Sequence, residues 1–332
     1  MHFKKLLTMF TITFFASSGT MLSINTHVSN NKLIKNCLVN NHETFSKLEG
    51  TSGVIQSITS DQKGNVYAAN DEGIIYYISE NNKDIKPIFK SEGIIQAIAT
   101  SNNGNVYVAI KETKNETKIY IKNNDSNNFK LLEKFDFNLL SMIVYTSNDG
   151  EEYLYMGTDN DVKAYYQSFG QEWLQTIPGT KGKISAIIKD NNNDKCIYAA
   201  TTDGQIYKNI GGDQKFKELL TTGSKITDLT FDNLGNVYAT EMSGQVWKKD
   251  NNKNSFFRFQ LHPLSNCLTS IVINNDNCIY VGDNTGNLWK SYGSSTFDKL
   301  QFKVNISIKK LIFNGATKKM YIGSSNGVYY SD

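Results

Sequence analysis

A strand-like motif recurs seven times along this chain, and it constrains the fold more than any other feature. Each copy ends in a tyrosine, and in most copies a glycine follows six residues later, ahead of an aliphatic and an aromatic residue. The tyrosines, 40 to 48 residues apart, are Tyr67, Tyr107, Tyr155, Tyr198, Tyr238, Tyr280 and Tyr321. A period near forty with strand patterning is typical of a radial array of β-sheets. The sequence therefore predicts an all-β, seven-bladed β-propeller with four-stranded blades.

Each repeat is predicted to contain four strands, A to D, from the centre of the ring outward. In the first unit they cover residues 54–59, 65–69, 74–79 and 85–90. Turns rich in Asn, Asp and Gly join A to B, and a glycine lies in most B–C turns, where a positive φ is expected. Strands A to C are apolar on both faces, which fits blades packed between two neighbours.

The last unit ends after its strand C, at residues 327–332. Residues 45–48, Phe-Ser-Lys-Leu, resemble the D strands of other units at 216–219 and 297–300. We therefore expect the N-terminal strand to complete the last blade and close the ring. Closure removes the open sheet edges that a linear array would expose.

The N-terminus has the pattern of an export signal. Lys4 and Lys5 precede an apolar run at 6–16, and small residues follow at 17–19. This predicts a signal peptide at 1–22, with an uncleaved anchor as the alternative. The run is shorter than the ~20 apolar residues that span a bilayer. Residues 23–43 are then a linker and 44–332 the propeller. The expected location is secreted or at the cell surface, with membrane contact only through an uncleaved N-terminus.

Charge and cysteine content narrow the partners further. The net charge is +3 and Arg258 is the single arginine, so neither a nucleic acid partner nor an arginine cluster is predicted. Cysteines in an exported protein can form disulfides. The repeat alignment places Cys196, Cys267 and Cys278 too far apart to pair with one another, so these three are predicted to be free.

Three stretches carry a family likeness. They are Gly-Asn-Val-Tyr-Ala-Ala at 64–69, Tyr-Met-Gly-Thr-Asp at 155–159 and Gly-Asp-Asn-Thr-Gly-Asn-Leu-Trp at 282–289. This pattern resembles the repeats of sensor-type propellers, which include the two-component-regulator propeller and NHL-like groups. The resemblance implies the blade and leaves the activity open, because such blades host sensing, adhesion, scaffolding and some enzymes.

No catalytic residue, metal site or cofactor is predicted. The G-x-S-x-G match at 323–327 falls in a B–C hairpin, whereas serine hydrolases need a strand-to-helix elbow. The acidic turn that begins at Asp190 lacks the glycine and the glutamate of a calcium loop. A sialidase would need an arginine triad. Enzymatic activity is left uncertain, with a non-catalytic role favoured.

Candidate ligand-binding residues lie on the A strands, where propeller ligands usually meet the channel. The third A-strand position is predicted to be polar in every unit: Gln56, Gln96, Ser141, Ser185, Thr227, Thr269 and Lys309. The next position is mostly small, but Asp228 and Lys310 place charges there. The predicted ligand-binding candidates are Gln56, Gln96, Thr227, Asp228, Lys309 and Lys310. The alternative is a water-filled channel in which these groups are only solvated.

Three functions fit these observations. The first is an exported, non-catalytic binding or adhesion propeller that recognises a glycan or a protein outside the cell. The second is a metal-dependent hydrolase or lactonase with its site at the channel mouth. The third is a structural subunit of a surface assembly, which an exposed apolar patch on the outer D strands would favour.

Overall fold

The computed structural model describes residues 43–331 except 169–170, 191–195, 211–214, 261, 266, 301 and 303–305. The predicted signal peptide at 1–22 and nearly all of the linker at 23–43 lie outside this range. The described residues form seven antiparallel sheets of four strands each and contain no helix. None of the described segments is therefore a helix long and apolar enough to cross a membrane.

The sheets are numbered here as blades 1 to 7 in the order of their A strands. The strands of blades 1 to 3 are β2 (Ile55–Ser60), β3 (Val66–Asn70), β4 (Ile74–Ile78) and β5 (Ile85–Lys90); β6 (Ile94–Thr100), β7 (Val106–Thr113), β8 (Glu116–Lys122) and β9 (Lys130–Phe135); β10 (Leu139–Thr146), β11 (Glu152–Thr158), β12 (Val162–Ser168) and β13 (Gln171–Ile177). Those of blades 4 and 5 are β14 (Ile184–Lys189), β15 (Cys196–Thr201), β16 (Gln205–Ile210) and β17 (Lys217–Thr221); β18 (Ile226–Phe231), β19 (Val237–Glu241), β20 (Val246–Lys249) and β21 (Phe257–Arg258). Those of blades 6 and 7 are β22 (Leu268–Ile273), β23 (Ile279–Asp283), β24 (Leu288–Ser291) and β25 (Asp298–Leu300); β26 (Ile308–Asn314), β27 (Lys319–Ser324), β28 (Gly327–Ser331) and β1 (Phe45–Lys47).

The A strands of successive blades contact one another, and β26 of blade 7 contacts β2 of blade 1. The blades therefore form a closed ring, and the predicted seven-bladed propeller is confirmed. In blade 1 each predicted strand agrees with the structure to within one residue at either end. The strand boundaries could be predicted this closely because turn residues mark them in the sequence.

Apolar cores lie between neighbouring blades. The core between blades 1 and 2, for example, combines Tyr67 and Ile75 of blade 1 with Ile95 and Val106 of blade 2. All four side chains are at most 4% exposed. Burial of this kind, at about 25 cal/mol per Å² of apolar surface, drives the packing of one blade on the next.

Small residues on strand B let the next blade approach closely. A Cβ added at Gly282 would lie 2.5 Å from Ile308 of the following blade. A Cβ at Gly323 of blade 7 would likewise lie 2.7 Å from Ile55 of blade 1. Blades 7 and 1 therefore meet through the same kind of contact as blades 6 and 7.

The B–C turns confirm the expected use of glycine. Gly73 adopts a φ of 78° and Gly327 a φ of 86°, where residues with a side chain are strained. A Cβ at Gly73 would also lie 2.7 Å from the carbonyl oxygen of Ser91.

The N-terminal strand closes the ring as predicted. β1 pairs with β28, with Phe45 opposite Ser331 and Lys47 opposite Tyr329. Just before β1, the Glu43 carboxylate lies 2.6 Å from Lys290 Nζ in blade 6. Segment 43–48 therefore contacts both of the last two blades.

Several of the recurring tyrosines donate hydrogen bonds to carboxylates. The Tyr67 hydroxyl donates to Asp61 (3.4 Å), and Tyr238 donates to Asp232 (3.2 Å). Tyr280 donates to Glu43 at 2.5 Å. Burial, together with the nearby carboxylate, raises the pKa of each of these tyrosines well above its usual value. At these tyrosines the repeated position therefore supplies a buried polar contact as well as core packing.

One cysteine differs from expectation. Cys196 and Cys267 are free, as predicted, but Cys278 is disulfide-bonded. The prediction for Cys278 was wrong because it weighed only pairs of cysteines within residues 44–332. The fourth cysteine of the sequence, Cys37, precedes the repeats and lies outside the described residues.

Candidate functional site

Every A strand carries a β-bulge near its start. In blade 1, Ile55 pairs with Asn70 and Ser57 pairs with Ala69, so Gln56 has no partner in the sheet. A bulge re-aims the side chains around it. The skipped residues of the seven blades are Gln56, Gln96, Leu140, Ser185, Thr227, Thr269 and Lys309.

The bulges correct the predicted polar ring in blade 3. The prediction placed Ser141 at the ring position, but the skipped residue is Leu140, and Ser141 pairs with Gly157. The ring is therefore polar in six blades rather than seven. The error arose because the polar residue Ser141 directly follows Leu140 in the sequence. Only the position of the bulge, which the sequence does not reveal, shows which of the two residues occupies the ring position.

All seven bulges lie at the same end of the channel. The pair Ile55–Asn70 is the last A–B pair before the B–C turn of blade 1. The equivalent pair is also the last one in blades 3 to 7, and in blade 2 only the pair Ile94–Lys111 follows it. We call this end, near the B–C turns, the channel mouth.

The A strands of all seven blades enclose a cavity of about 540 Å³. Four of the six predicted candidates line it: Gln56, Gln96, Asp228 and Lys310. Since Gln56 and Lys310 are 254 positions apart in the sequence, only closure of the ring brings them to one cavity.

The other two candidates, Thr227 and Lys309, are not among the residues that line this cavity. Thr227 Oγ1 lies 2.9 Å from Thr240 Oγ1 on the neighbouring strand of its own blade. Lys309 is half-buried. Both lie at bulge positions, but the structure does not bring them together with the other four.

Asp228 connects three blades. Its Oδ1 accepts from the backbone N–H of Leu229 (3.1 Å) and from Lys310 Nζ of blade 7 (3.3 Å). Its Oδ2 accepts from the backbone N–H of Ile271 (3.3 Å) and from the Ser270 hydroxyl, both in blade 6. With four donors, this carboxylate is well satisfied, and its side chain is only 14% exposed. Asp228 therefore acts mainly as a structural link within the channel wall.

Two serines have the same role as Asp228. Ser57 Oγ accepts from the backbone N–H of Ile98 in the next blade (3.1 Å), and Ser270 Oγ accepts from that of Leu311 (3.0 Å). Each acceptor follows its bulge by one residue and binds a backbone N–H of the following blade. The prediction described this position as mostly small, with Asp228 and Lys310 as charged exceptions, and did not foresee these hydrogen bonds. A hydroxyl or carboxylate recurring after the bulge is the sequence signal for these interblade hydrogen bonds.

Lys310 retains hydrogen-bonding capacity. Its ammonium has three donors, and the contact with Asp228 is its one hydrogen bond to the described residues. Its side chain is 34% exposed, compared with 14% for Asp228. Gln56 and Gln96 also make no side-chain hydrogen bond within the described part of the chain, and Gln56 is exposed. The mouth therefore presents an ammonium group and two amides to a ligand.

Within the residues that the structure describes, no group of three or more His, Cys, Asp or Glu side chains could hold a metal ion. The metal-dependent hydrolase alternative thus lacks a candidate ligand set in that part of the chain.

Comparison with known proteins agrees with the fold. The chain is similar to the solved WD40 β-propeller domain of Doa1, with a TM-score of 0.71 and 11% sequence identity. The alignment covers 88% of this chain and 97% of that domain. At this identity the likeness shows the fold alone. No family model and no curated protein matches the sequence.

The fold and the channel define the class as a seven-bladed β-propeller, an architecture that often serves as a binding or scaffold module. The narrower likeness to sensor-type and NHL-like propellers stays a prediction.

Proposed function

We propose that this protein is an exported, non-catalytic binding module that holds a glycan at the channel mouth. The observation that carries the proposal is Lys310, whose ammonium group lines the cavity with one hydrogen bond to the described residues. Buried or half-buried charges normally have their hydrogen bonds satisfied. The remaining donors therefore suit an oxygen-rich ligand.

Glycan chemistry matches the groups at the mouth. Sugar hydroxyls both accept and donate, so they suit an ammonium group and two primary amides, Gln56 and Gln96. The cavity volume of about 540 Å³ falls within the ~300–1,000 Å³ of typical small-ligand sites. A protein partner is the second candidate ligand, and it would insert a protruding polar side chain into the channel mouth.

Export rests on the N-terminal pattern of Lys4, Lys5 and the apolar run at 6–16. Fractionation of producing cells, with N-terminal sequencing of the extracellular or surface protein, tests it. We expect a new N-terminus near residue 22. Protein confined to the cytosol would contradict export without bearing on the channel site.

The binding test is a glycan array probed with the full chain and three variants. Lys310→Ala should weaken the strongest signal about tenfold or more, since a hydrogen bond to a charged group contributes ~1.5–3 kcal/mol. Gln56→Ala, which removes no side-chain hydrogen bond within the described residues, should also weaken binding. Lys130→Ala is the control, because it removes the same charge from an exposed position on the outer strand β9, away from the A strands that line the cavity.

Equal binding by wild type, Lys310→Ala and Gln56→Ala would place the site elsewhere. An array with no signal, together with capture of a partner protein that depends on Lys310, would replace the glycan with a protein ligand. Thermal unfolding of each variant separates lost binding from lost folding, because Lys310 also contacts Asp228.

A further inference from the structure

The outer strand of blade 3, β13, differs from the other outer strands. It is the longest of the seven, with seven residues. Its sequence, Gln-Glu-Trp-Leu-Gln-Thr-Ile, contains one charged residue and no Lys, Arg or Pro. An outer strand leaves backbone N–H and C=O groups unpaired along one edge, and proteins usually protect such edges with lysine, proline or short length.

The other six outer strands, all within the described residues, carry these protective features. β5 contains Pro87 and two lysines, and β9 also contains two lysines. β17 contains one lysine, and the remaining three are only two or three residues long, each with a Lys or Arg. Since all seven outer strands occupy the same place in the repeat, the other six can be compared directly with β13. β13 alone has neither a basic residue nor a proline.

β13 also exposes large apolar side chains on both of its faces. Trp173 is 61% exposed and Leu174 is 51% exposed. Neighbouring residues in a strand point to opposite sides. Exposed apolar surface on an unprotected edge is typical of an interaction site.

Blade 3 holds this edge in place through a row of aromatic residues. Trp173 lies opposite Tyr166 in the sheet, and Tyr166 lies opposite Tyr153. The rings of Tyr153 and Tyr166 stack at 4.5 Å, and Tyr153 stacks on Tyr145 at 5.8 Å. The row runs from the A strand to the outer edge, so β13 is supported across the whole width of its blade.

We propose that β13 pairs with β13 of a second copy of this chain, antiparallel and around a two-fold axis at Leu174. In this register Leu174 lies opposite Leu174 of the other copy, Trp173 opposite Gln175, and Glu172 opposite Thr176. The two blades then form one continuous eight-stranded sheet. An isologous contact of this kind closes at the dimer and does not propagate.

Charge favours a second copy as the occupant. Glu172 is the only charged residue of β13, and the two-fold register places it opposite a threonine rather than its own equivalent. Like charges directly opposite one another destabilise a strand pair. In the same register, the two Trp173 side chains become diagonal neighbours, within reach of each other. One seven-residue strand buries less than a standard interface, so we expect a reversible, concentration-dependent dimer.

Sedimentation equilibrium of the full chain over a wide concentration range tests this proposal. Wild type should shift from monomer to dimer with rising concentration. Leu174→Lys and Leu174→Glu should each be monomeric throughout, because residue 174 faces its own copy. An equimolar mixture of the two variants should restore the dimer. Leu131→Lys, at a 45% exposed position on the outer strand β9, is the matched control and should dimerise as wild type does.

A wild type that stays monomeric at all concentrations would overturn the proposal. So would dimers that persist in Leu174→Lys, or a mixture that remains monomeric. The contact uses none of the channel residues, so its failure would leave the glycan proposal unaffected.

Discussion

At the scale of single residues, the polar groups of the channel are of two kinds. Some stabilise the ring through hydrogen bonds between blades, and others remain available to a ligand. Asp228, Ser57 and Ser270 accept backbone N–H groups of the next blade. Lys310 and Gln56 face the cavity with unused hydrogen-bonding capacity within the described structure. The sequence predicted polar character at these positions but could not assign the two roles, because they depend on contacts between blades.

Glu43 and Lys290 form a nearly buried ion pair. The Lys290 side chain is 2% exposed and that of Glu43 is 17% exposed. Glu43→Gln leaves the lysine charge without its counterion, so we expect a loss of about 3 kcal/mol in the free energy of unfolding. Adding Lys290→Met removes that charge and should recover most of the loss. Denaturant unfolding of wild type and of both variants measures the two effects. A double variant that is no more stable than Glu43→Gln would contradict this role for the pair.

Asp283 predicts a pH dependence of stability. Burial by itself raises the pKa of this carboxyl, but hydrogen bonds from Asn287 and Thr285 outweigh it and hold the pKa below its usual value. A lowered folded-state pKa contributes stability that is fully present above the unfolded-state value, about 3.9, and is lost as the pH falls through the folded-state value.

Asp283→Asn should therefore be less stable than wild type at pH 6, and the gap should narrow toward pH 2. Thermal midpoints across this range measure it. Asn287 Nδ2 donates to Asp283 Oδ2 at 2.7 Å, and an asparagine amide placed there would face another donor. A gap that is constant with pH would show that the ionised carboxylate contributes nothing.

At the scale of elements, the strands were largely predictable and the bulges were not. Turn residues around β2 to β5 marked each strand of blade 1, and the likeness of residues 45–48 to other D strands predicted the pairing of β1 with β28. A bulge shifts the register by one residue, but no particular residue type marks its position. In blade 3, for example, the bulge residue is Leu140. Whether an outer strand lacks the usual protection by lysine, proline or short length could be judged only from the bounds of all seven outer strands in the structure.

The closing strand should be essential for stability. Deleting residues 42–50 removes β1, the buried side chain of Leu48 and the contact of Glu43 with Lys290. We expect the thermal midpoint to fall on the order of 10 °C or more, since one kcal/mol corresponds to roughly 2–4 °C in a domain of this size class. Lys47→Ala keeps the strand and removes one exposed hydrogen bond, from Lys47 Nζ to Asn326 Oδ1 (3.4 Å), so it should shift the midpoint little. An unchanged midpoint after the deletion would contradict closure by this strand.

At the scale of the whole molecule, the ring creates the site. No single blade contains the cavity, which needs the A strands of all seven. The contact between blades 7 and 1 must therefore be as tight as those between blades adjacent in the sequence.

Two glycines test that equivalence. Gly282→Val would drive a side chain into Ile308, and Gly323→Val would drive one into Ile55. Overpacking of this kind costs about 1–3 kcal/mol. We expect similar losses in the free energy of unfolding from both variants, measured by denaturant unfolding. If blades 7 and 1 did not meet, Gly323→Val would be nearly neutral while Gly282→Val remained costly.

Recognition at the channel mouth is best tested with a crystal structure of the full chain grown with its strongest array ligand. The predicted result is a sugar ring at the mouth, with an oxygen within hydrogen-bonding distance of Lys310 Nζ and contacts to Gln56 or Gln96. A well-ordered glycan bound elsewhere, with only solvent beside Lys310, would contradict it.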